Sequence, residues 1–179
     1  SLGEAGAKLT EIVPPPIPDT NDALLKLFVW NDDGGEWIRR LLDAAGTKTP
    51  SPAIAAQINP DLRLGGDVIV ERIEARDHFR AAMVAFMADY DVLVTPVTGF
   101  PAPAYGEAED DALFPGYSYT QVYNLAGLPA AVVRCGTSPE GLPIGVQIAA
   151  PPWREDLALA VARHLEAEFG GWQAPPLGS

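Results

Sequence analysis

The stretch NLAGLPAAVVRCGTSPEGLPIGVQIAAP, Asn124 to Pro151, limits what this chain can fold into more than any other part of it. Gly127-Leu128-Pro129 opens one run of small and β-branched residues, and Gly141-Leu142-Pro143 opens a second. Glycine allows a tight turn, and proline sets φ at the first residue of a strand, where its missing N–H costs little. The pattern predicts two strands, Ala130–Cys135 and Ile144–Ala149, joined by GTSPEG. Val133 and Cys135 then share one face of the first strand, and Val146 and Ile148 one face of the second. Gly145 and Gln147 fall on the opposite face, where the glycine leaves room for another backbone. An amphipathic helix follows over Glu155–Phe169. Its apolar stripe is Leu157, Val161, Leu165 and Phe169, and Glu155 and Asp156 suit its positive N-terminus. Gly-Leu-Pro repeats at too short a period for a solenoid, and residues 172–179 form a linker-like tail.

Upstream, the first residues read as the end of a helix stopped at Gly6, then a short strand Lys8–Val13. Pro14 to Pro16 force an extended exit. Asp19 and Thr20 are N-cap residues for a helix whose face carries Leu24, Leu27 and Phe28. A second helix fits Gly35–Ala45, with Trp37 and Leu41 at helical spacing, Glu36 one turn before Arg40, and Gly46 as its stop. The proline-punctuated stretch after Thr49 supports one short helix. The longest helix is expected over Val68–Asp89, capped by Asp67, with a buried stripe of Phe79, Met83, Phe86 and Met87. Arg72, Arg76 and Arg80 line one of its faces, as a solvated face or an anion site. Tyr90–Pro96 fits a short strand buried in a covered sheet. Residues 97–116 form a long irregular loop rich in proline, glycine and acids, and Tyr117–Asn124 continues as a helix.

The composition, 47% hydrophobic over 179 residues, fits one domain with a real core, or two very small ones. A formal charge of -12 argues against nucleic acid as a partner, because phosphates repel such a surface. No apolar run approaches the roughly 18 residues of a membrane span. The single cysteine, Cys135, makes no internal disulfide, which fits a cytoplasmic location. Neither a metal nor a cofactor is expected. His78 and His164 stand alone on helices, and no phosphate-binding glycine loop is present. Gly116-Tyr117-Ser118-Tyr119-Thr120 lacks the last glycine of a nucleophile elbow, and no strand precedes it. Cys135 sits among apolar neighbours that favour its neutral thiol. What remains is the aromatic and polar stretch Tyr117–Asn124. It reads as the wall of a pocket, or as side chains that only satisfy a helix end.

YDVLVTPVTGFPAP, YNLAGLPAAVVRCG and GLPIGVQIAAPPWREDLALAVARHLE, in this order and spacing, resemble the C-terminal part of the amidase signature family. LGEAGAKLTEIVPPP extends the resemblance, which is least clear over residues 20 to 65. Arg134 stands where family members commonly carry proline. The resemblance implies an α/β fold: a large mixed sheet with helices packed on it, of which residues 1–179 are the C-terminal portion. It implies hydrolysis of carboxylic amide bonds by a Ser–cis-Ser–Lys triad, in which lysine acts through the cis-serine, the second serine attacks, and a glycine-rich turn holds the oxyanion. That triad belongs to the family's N-terminal half. The serines here, Ser1, Ser51, Ser118, Ser138 and Ser179, lie in no such context, so no catalytic residue is expected in this chain. What the resemblance assigns to it is sheet strands and a substrate-facing pocket wall of Tyr117, Thr120, Gln121 and Asn124. Tyr117 falls where some relatives that handle polar amides carry an acid. The implied partners are an N-terminal amidase portion with the triad and a small amide substrate, and the open sheet favours self-association. The alternative is a non-catalytic binding or scaffold module with the same half-fold.

Overall fold

The computed structural model describes residues 2–18, 21–28, 33–104, 106–107 and 113–175. In chain order it contains α1 (Asn21–Lys26), α2 (Glu36–Ala44), α3 (Pro52–Ala56), α4 (Gly66–Met87), β1 (Leu93–Pro96), α5 (Ser118–Ala126), β2 (Ala130–Thr137), β3 (Pro143–Ala149) and α6 (Glu155–Phe169). Short 3-10 turns cover Pro60–Leu62 and Phe114–Tyr117. The chain divides into two compact units, one of Ser1–Leu24 with Phe79–Ser179, the other Leu25–His78.

The first unit is built on a three-stranded antiparallel sheet in the order β1-β3-β2. Ala131 lies opposite Ile148 and Val133 opposite Val146, so the predicted hairpin forms with its apolar sets in register. The two Gly-Leu-Pro units do different things. Gly127, at φ 70°, ends α5: its N–H donates to Asn124 O (3.3 Å), and Leu128 N–H donates to Tyr123 O (3.0 Å). That pair of bonds is the glycine stop of a helix. Gly141, at φ 87°, closes the hairpin turn by donating to Ser138 O (3.0 Å).

β2 runs two residues further than predicted because it is bulged. Arg134 pairs with Gly145 and Gly136 with Ile144, which leaves Cys135 as the extra residue. The Arg134 guanidinium donates to Thr137 Oγ1 (2.5 Å) across this bulge. Val133 and Cys135 both still pack toward α6, against a buried cluster of Ile148, Ala150, Ala158, Ala162 and Leu165. The buried centre of α6 is therefore shifted from the predicted stripe. Its alanines let helix and sheet approach closely, whereas Phe169 is 45% exposed. α5 meets the opposite face of the sheet, where Gln147 points, so helices cover both sides of β3.

The turn Leu2–Ala7 has the hydrogen bonds of a helix end, Gly6 N–H to Gly3 O and Ala7 N–H to Leu2 O, both 3.0 Å, with Gly6 at φ 95°. The strand expected over Lys8–Val13 does not form. A strand persists only where a neighbouring edge takes up its N–H and C=O groups, and here Leu9 and Val13 are exposed and the backbone is irregular. The strand expected over Tyr90–Pro96 is confined to Leu93–Pro96. Leu93 is buried and Val94 exposed, so it is an edge strand rather than one covered on both faces. Phe79, Met83 and Met87 of α4 are buried as predicted, and Phe86 stacks on Tyr90 with ring centres 4.9 Å apart. The caps expected at Asp19 and Thr20 lie outside the described residues.

In the second unit Ile38 is the buried residue of α2, and Trp37 and Leu41 are half exposed. Glu36 pairs with Arg39 (2.5 Å) rather than with Arg40. The Asp33 carboxylate accepts from Gly35 N–H (3.0 Å) and Trp37 N–H (2.8 Å), which caps the helix. Gly35, at φ 80°, lies so close to the chain at Gln57 and Ile58 that a Cβ would stand 2.6 Å from Gln57 O. Only glycine meets both demands.

Candidate functional site

Tyr117, Thr120, Gln121 and Asn124 fall at i, i+3, i+4 and i+7, which is one stripe along α5 and the turn that leads into it. Exposure rises along the stripe, from half-buried Tyr117, Thr120 and Gln121 to exposed Asn124. Tyr117 lines a cleft of about 490 Å3, and the other three do not border it. Thr120 Oγ1 donates to Tyr117 O (3.0 Å), a local bond of the helix start. The Gln121 Oε1 atom is buried with no hydrogen-bond donor among the described residues, an arrangement that costs about 1–3 kcal/mol when nothing completes it.

The cleft lies between the loop that follows β1 and the start of β3. Its walls include Val97, Phe100, Pro103, Tyr117, Ile144 and Gly145. The Phe100 and Tyr117 rings meet edge to face, centres 5.1 Å apart at 88°, an arrangement worth about 0.5–1.5 kcal/mol beyond its buried area. Gly116 makes that contact possible, because a Cβ there would overlap the Phe100 ring. Two bonds hold the loop in place: Gly99 N–H to Gly116 O (3.0 Å) and Thr98 Oγ1 to Phe100 O (2.7 Å). Gly145 supplies the room expected of it, though to a side chain: a Cβ there would stand 3.1 Å from Val97 Cγ2.

A buried polar network joins α5 to the sheet. Gln147, 4% exposed, donates from Nε2 to Tyr119 O (3.2 Å) and to Thr95 Oγ1 (3.4 Å). Thr95 also hydrogen-bonds the Tyr123 hydroxyl. Burial pushes the Tyr123 phenol above its usual range; the Thr95 bond opposes this, and Tyr119 adds to it. The Tyr123 phenol is therefore neutral at physiological pH, as its burial beside the uncharged Thr95 requires. The sequence placed Gln147 on this face without a partner. Its signal was an amide inside an apolar strand, since a buried amide must find acceptors.

The remaining candidates take bland positions. Ser118 begins α5 straight after a 3-10 turn, not a strand, so its chain path is not that of a nucleophile elbow. His164 faces Glu168 (3.6 Å) on the outside of α6, and Arg76 pairs with Asp77 (3.4 Å) on α4. Burial pushes the Cys135 thiol up, so it stays protonated at neutral pH. Iodoacetamide should therefore alkylate Cys135 more slowly than free cysteine at pH 7, with the rate climbing at a higher pH than for the free amino acid. A rate equal to that of free cysteine would contradict this.

The family model named Amidase matches residues 1–159 of the chain. Fatty-acid amide hydrolase 2-A of Danio rerio is 49% identical over 59 residues, which are 33% of this chain and 11% of that protein. A glutamyl-tRNA(Gln) amidotransferase subunit of Acidobacterium capsulatum is 41% identical over 100 residues, 55% of this chain and 20% of that one. Among solved structures, 6-aminohexanoate cyclic dimer hydrolase superposes with a TM-score of 0.79 over 94% of this chain and 39% of its own, at 22% identity. A likeness at that identity is one of fold. The chain thus spans between 11% and 39% of the length of these relatives. With the hairpin, the α5 stripe and the first turn of the following helix inside the matched range, the chain belongs to the amidase family.

Proposed function

We propose that this chain acts as the C-terminal part of an amidase-signature hydrolase that cleaves carboxylic amide bonds. In this reading it supplies sheet strands and a pocket wall to a Ser–cis-Ser–Lys triad carried by an N-terminal amidase portion. Tyr117, Thr120, Gln121 and Asn124 face the substrate, and no residue of this chain does the bond-breaking chemistry. The observation that carries the reading is the family match over residues 1–159, set against serines that lie in no Gly/Ser-rich context.

One structural feature supports it. β2 is bonded to β3 along one edge only among the described residues, and a groove of about 580 Å3 runs between it and α6, bordered by Val132 and by Leu159. Both side chains are more than half exposed. An edge and groove of this kind invite a further strand or a second chain, the source of the expected self-association. A reducing cytoplasm is the location that fits one neutral, unpaired thiol.

The purified chain should hydrolyse no simple amide above the buffer rate. Co-expressed with a triad-bearing N-terminal portion, it should form a complex that does. Turnover by the chain alone would sink the reading. A stable complex with no hydrolysis would favour the non-catalytic module instead.

A further inference from the structure

We infer that the cleft between the post-β1 loop and β3 selects the uncharged, apolar group of its amide ligand, with Phe100 and Tyr117 as the residues that set this specificity. The inference rests on the pocket-wall reading given above and adds to it the ligand class and Phe100.

Three observations carry it. First, among the described residues none of the side chains that line the cleft is charged; they are aliphatic, aromatic and proline residues with one threonine. A carboxylate or ammonium placed there would lose its water with no counter-charge in return, and an unpaired charge moved out of water is strongly disfavoured. Second, the wall is preformed. The Gly99–Gly116 and Thr98–Phe100 bonds fix the loop, and the edge-to-face contact fixes both rings, so little ordering is left for a ligand to bring about. Third, the size suits a small molecule, since about 490 Å3 lies inside the range of roughly 300–1,000 Å3 usual for ligand clefts. An edge-to-face pair also presents ring faces and edges on which a planar group can stack.

Tyr117 is the sensitive position. It stands where the helix stripe meets the cleft, and it is half-buried, so its replacement by a carboxylate changes the charge of the cleft without removing a core residue. Phe100 answers a different question. Its truncation removes the ring against which Tyr117 rests and leaves the charge of the cleft unaltered.

The test is equilibrium binding of two amides to the full 179-residue chain at pH 7, followed by protein NMR shifts. Benzamide is uncharged and aromatic; succinamate carries the same amide head on an anionic chain. Benzamide should bind at least about tenfold more tightly, since a tenfold ratio needs only a small part of the cost of burying an unpaired carboxylate. Phe100→Ala should weaken benzamide several-fold, by about the loss of one aromatic contact, with little effect on succinamate. Tyr117→Asp should weaken benzamide as well, and circular dichroism should show the fold kept in both variants. His164→Ala, on the outside of α6, should leave benzamide binding unchanged. Equal binding of the two amides, no benzamide binding to the folded chain, or a wild-type benzamide affinity in both Phe100→Ala and Tyr117→Asp would each overturn the inference. Binding and hydrolysis separate the two readings. Selective benzamide binding with no hydrolysis in the assembled complex would sink the amidase proposal and leave this one standing. Hydrolysis without the selectivity would do the reverse.

Discussion

Gln147→Glu is expected to destabilise the chain by about 3–5 kcal/mol at pH 8, the scale for an uncompensated buried charge, and by far less at pH 4. Gln147 is 4% exposed, and its side-chain amide nitrogen faces two acceptors, Tyr119 O and Thr95 Oγ1. A carboxylate brings no donor to either of them. Thr95 can turn its hydroxyl toward the new group, but Tyr119 O cannot, and at 4% exposure the position leaves the charge little contact with solvent. The introduced carboxyl therefore takes up a proton more readily in the folded state than in the unfolded one. Its folded pKa lies above its unfolded value, so its full contribution is present below the unfolded value and is lost as pH rises through the folded one. Denaturant midpoints measured between pH 4 and 8 should fall steadily for Gln147→Glu relative to the native chain. Gln147→Leu keeps the shape without the charge, and it should cost about 1–3 kcal/mol for two neutral hydrogen bonds, with no added pH dependence. A flat pH profile for Gln147→Glu would show that water reaches this site and that α5 is not sealed onto the sheet.

This amide also shows where sequence reasoning stops. The hairpin, α6 and α5 were legible because their signals are local: a glycine-proline start, an alternation of two, a period of 3.6. The face of β3 that carries Gln147 followed from the same alternation. Its partners did not, because Thr95 and Tyr119 are distant in sequence and arrive only through tertiary packing. Lys8–Val13 failed for a related reason. Its residues suit a strand, but strand formation depends on a neighbouring edge that no local pattern encodes. Trp37 and Leu41 were at helical spacing, yet the buried position fell one residue on, at Ile38. Spacing shows that a stripe exists and leaves open which stripe meets the rest of the unit. The bulge at Cys135 was hidden because a single extra residue leaves no mark on a short apolar run. The α5 stripe could be named from resemblance, whereas Phe100 could not. Its role comes from Gly116 and Gly99 holding two loop segments together.

The other large effect is expected on the opposite face of the same strand. Ile148→Ala should cost about 2–5 kcal/mol, the range for large-to-small changes at fully buried sites, and should lower Tm by several degrees. Ile148 is wholly buried and sits against Ala150, Ala158, Ala162 and Leu165. The usual remedy for such a deletion is collapse of the neighbours into the space. Here three of the four buried neighbours end in a single methyl group and have no rotamer with which to reach inward, so relief falls to the partly buried side chains packed on the cluster, such as Val133, Leu157 and Val161. The cost should lie within that range. Ile148→Val removes one methyl group and should cost about 0.5–1.5 kcal/mol. Val132→Ala, at a position 55% exposed, should stay within about 0.5 kcal/mol of the native chain. Denaturant unfolding of the three variants measures this order directly, and equal midpoints for Ile148→Ala and Val132→Ala would mean that α6 is not seated on β3. Because Ile148 and Gln147 are consecutive and point to opposite faces, the two series act on one strand through different helices. Ile148→Ala should loosen α6 and leave benzamide binding by the remaining folded chain near its native value, whereas Gln147→Leu should weaken that binding, since Tyr119 O, which Gln147 holds, lies two residues from the cleft-lining Tyr117.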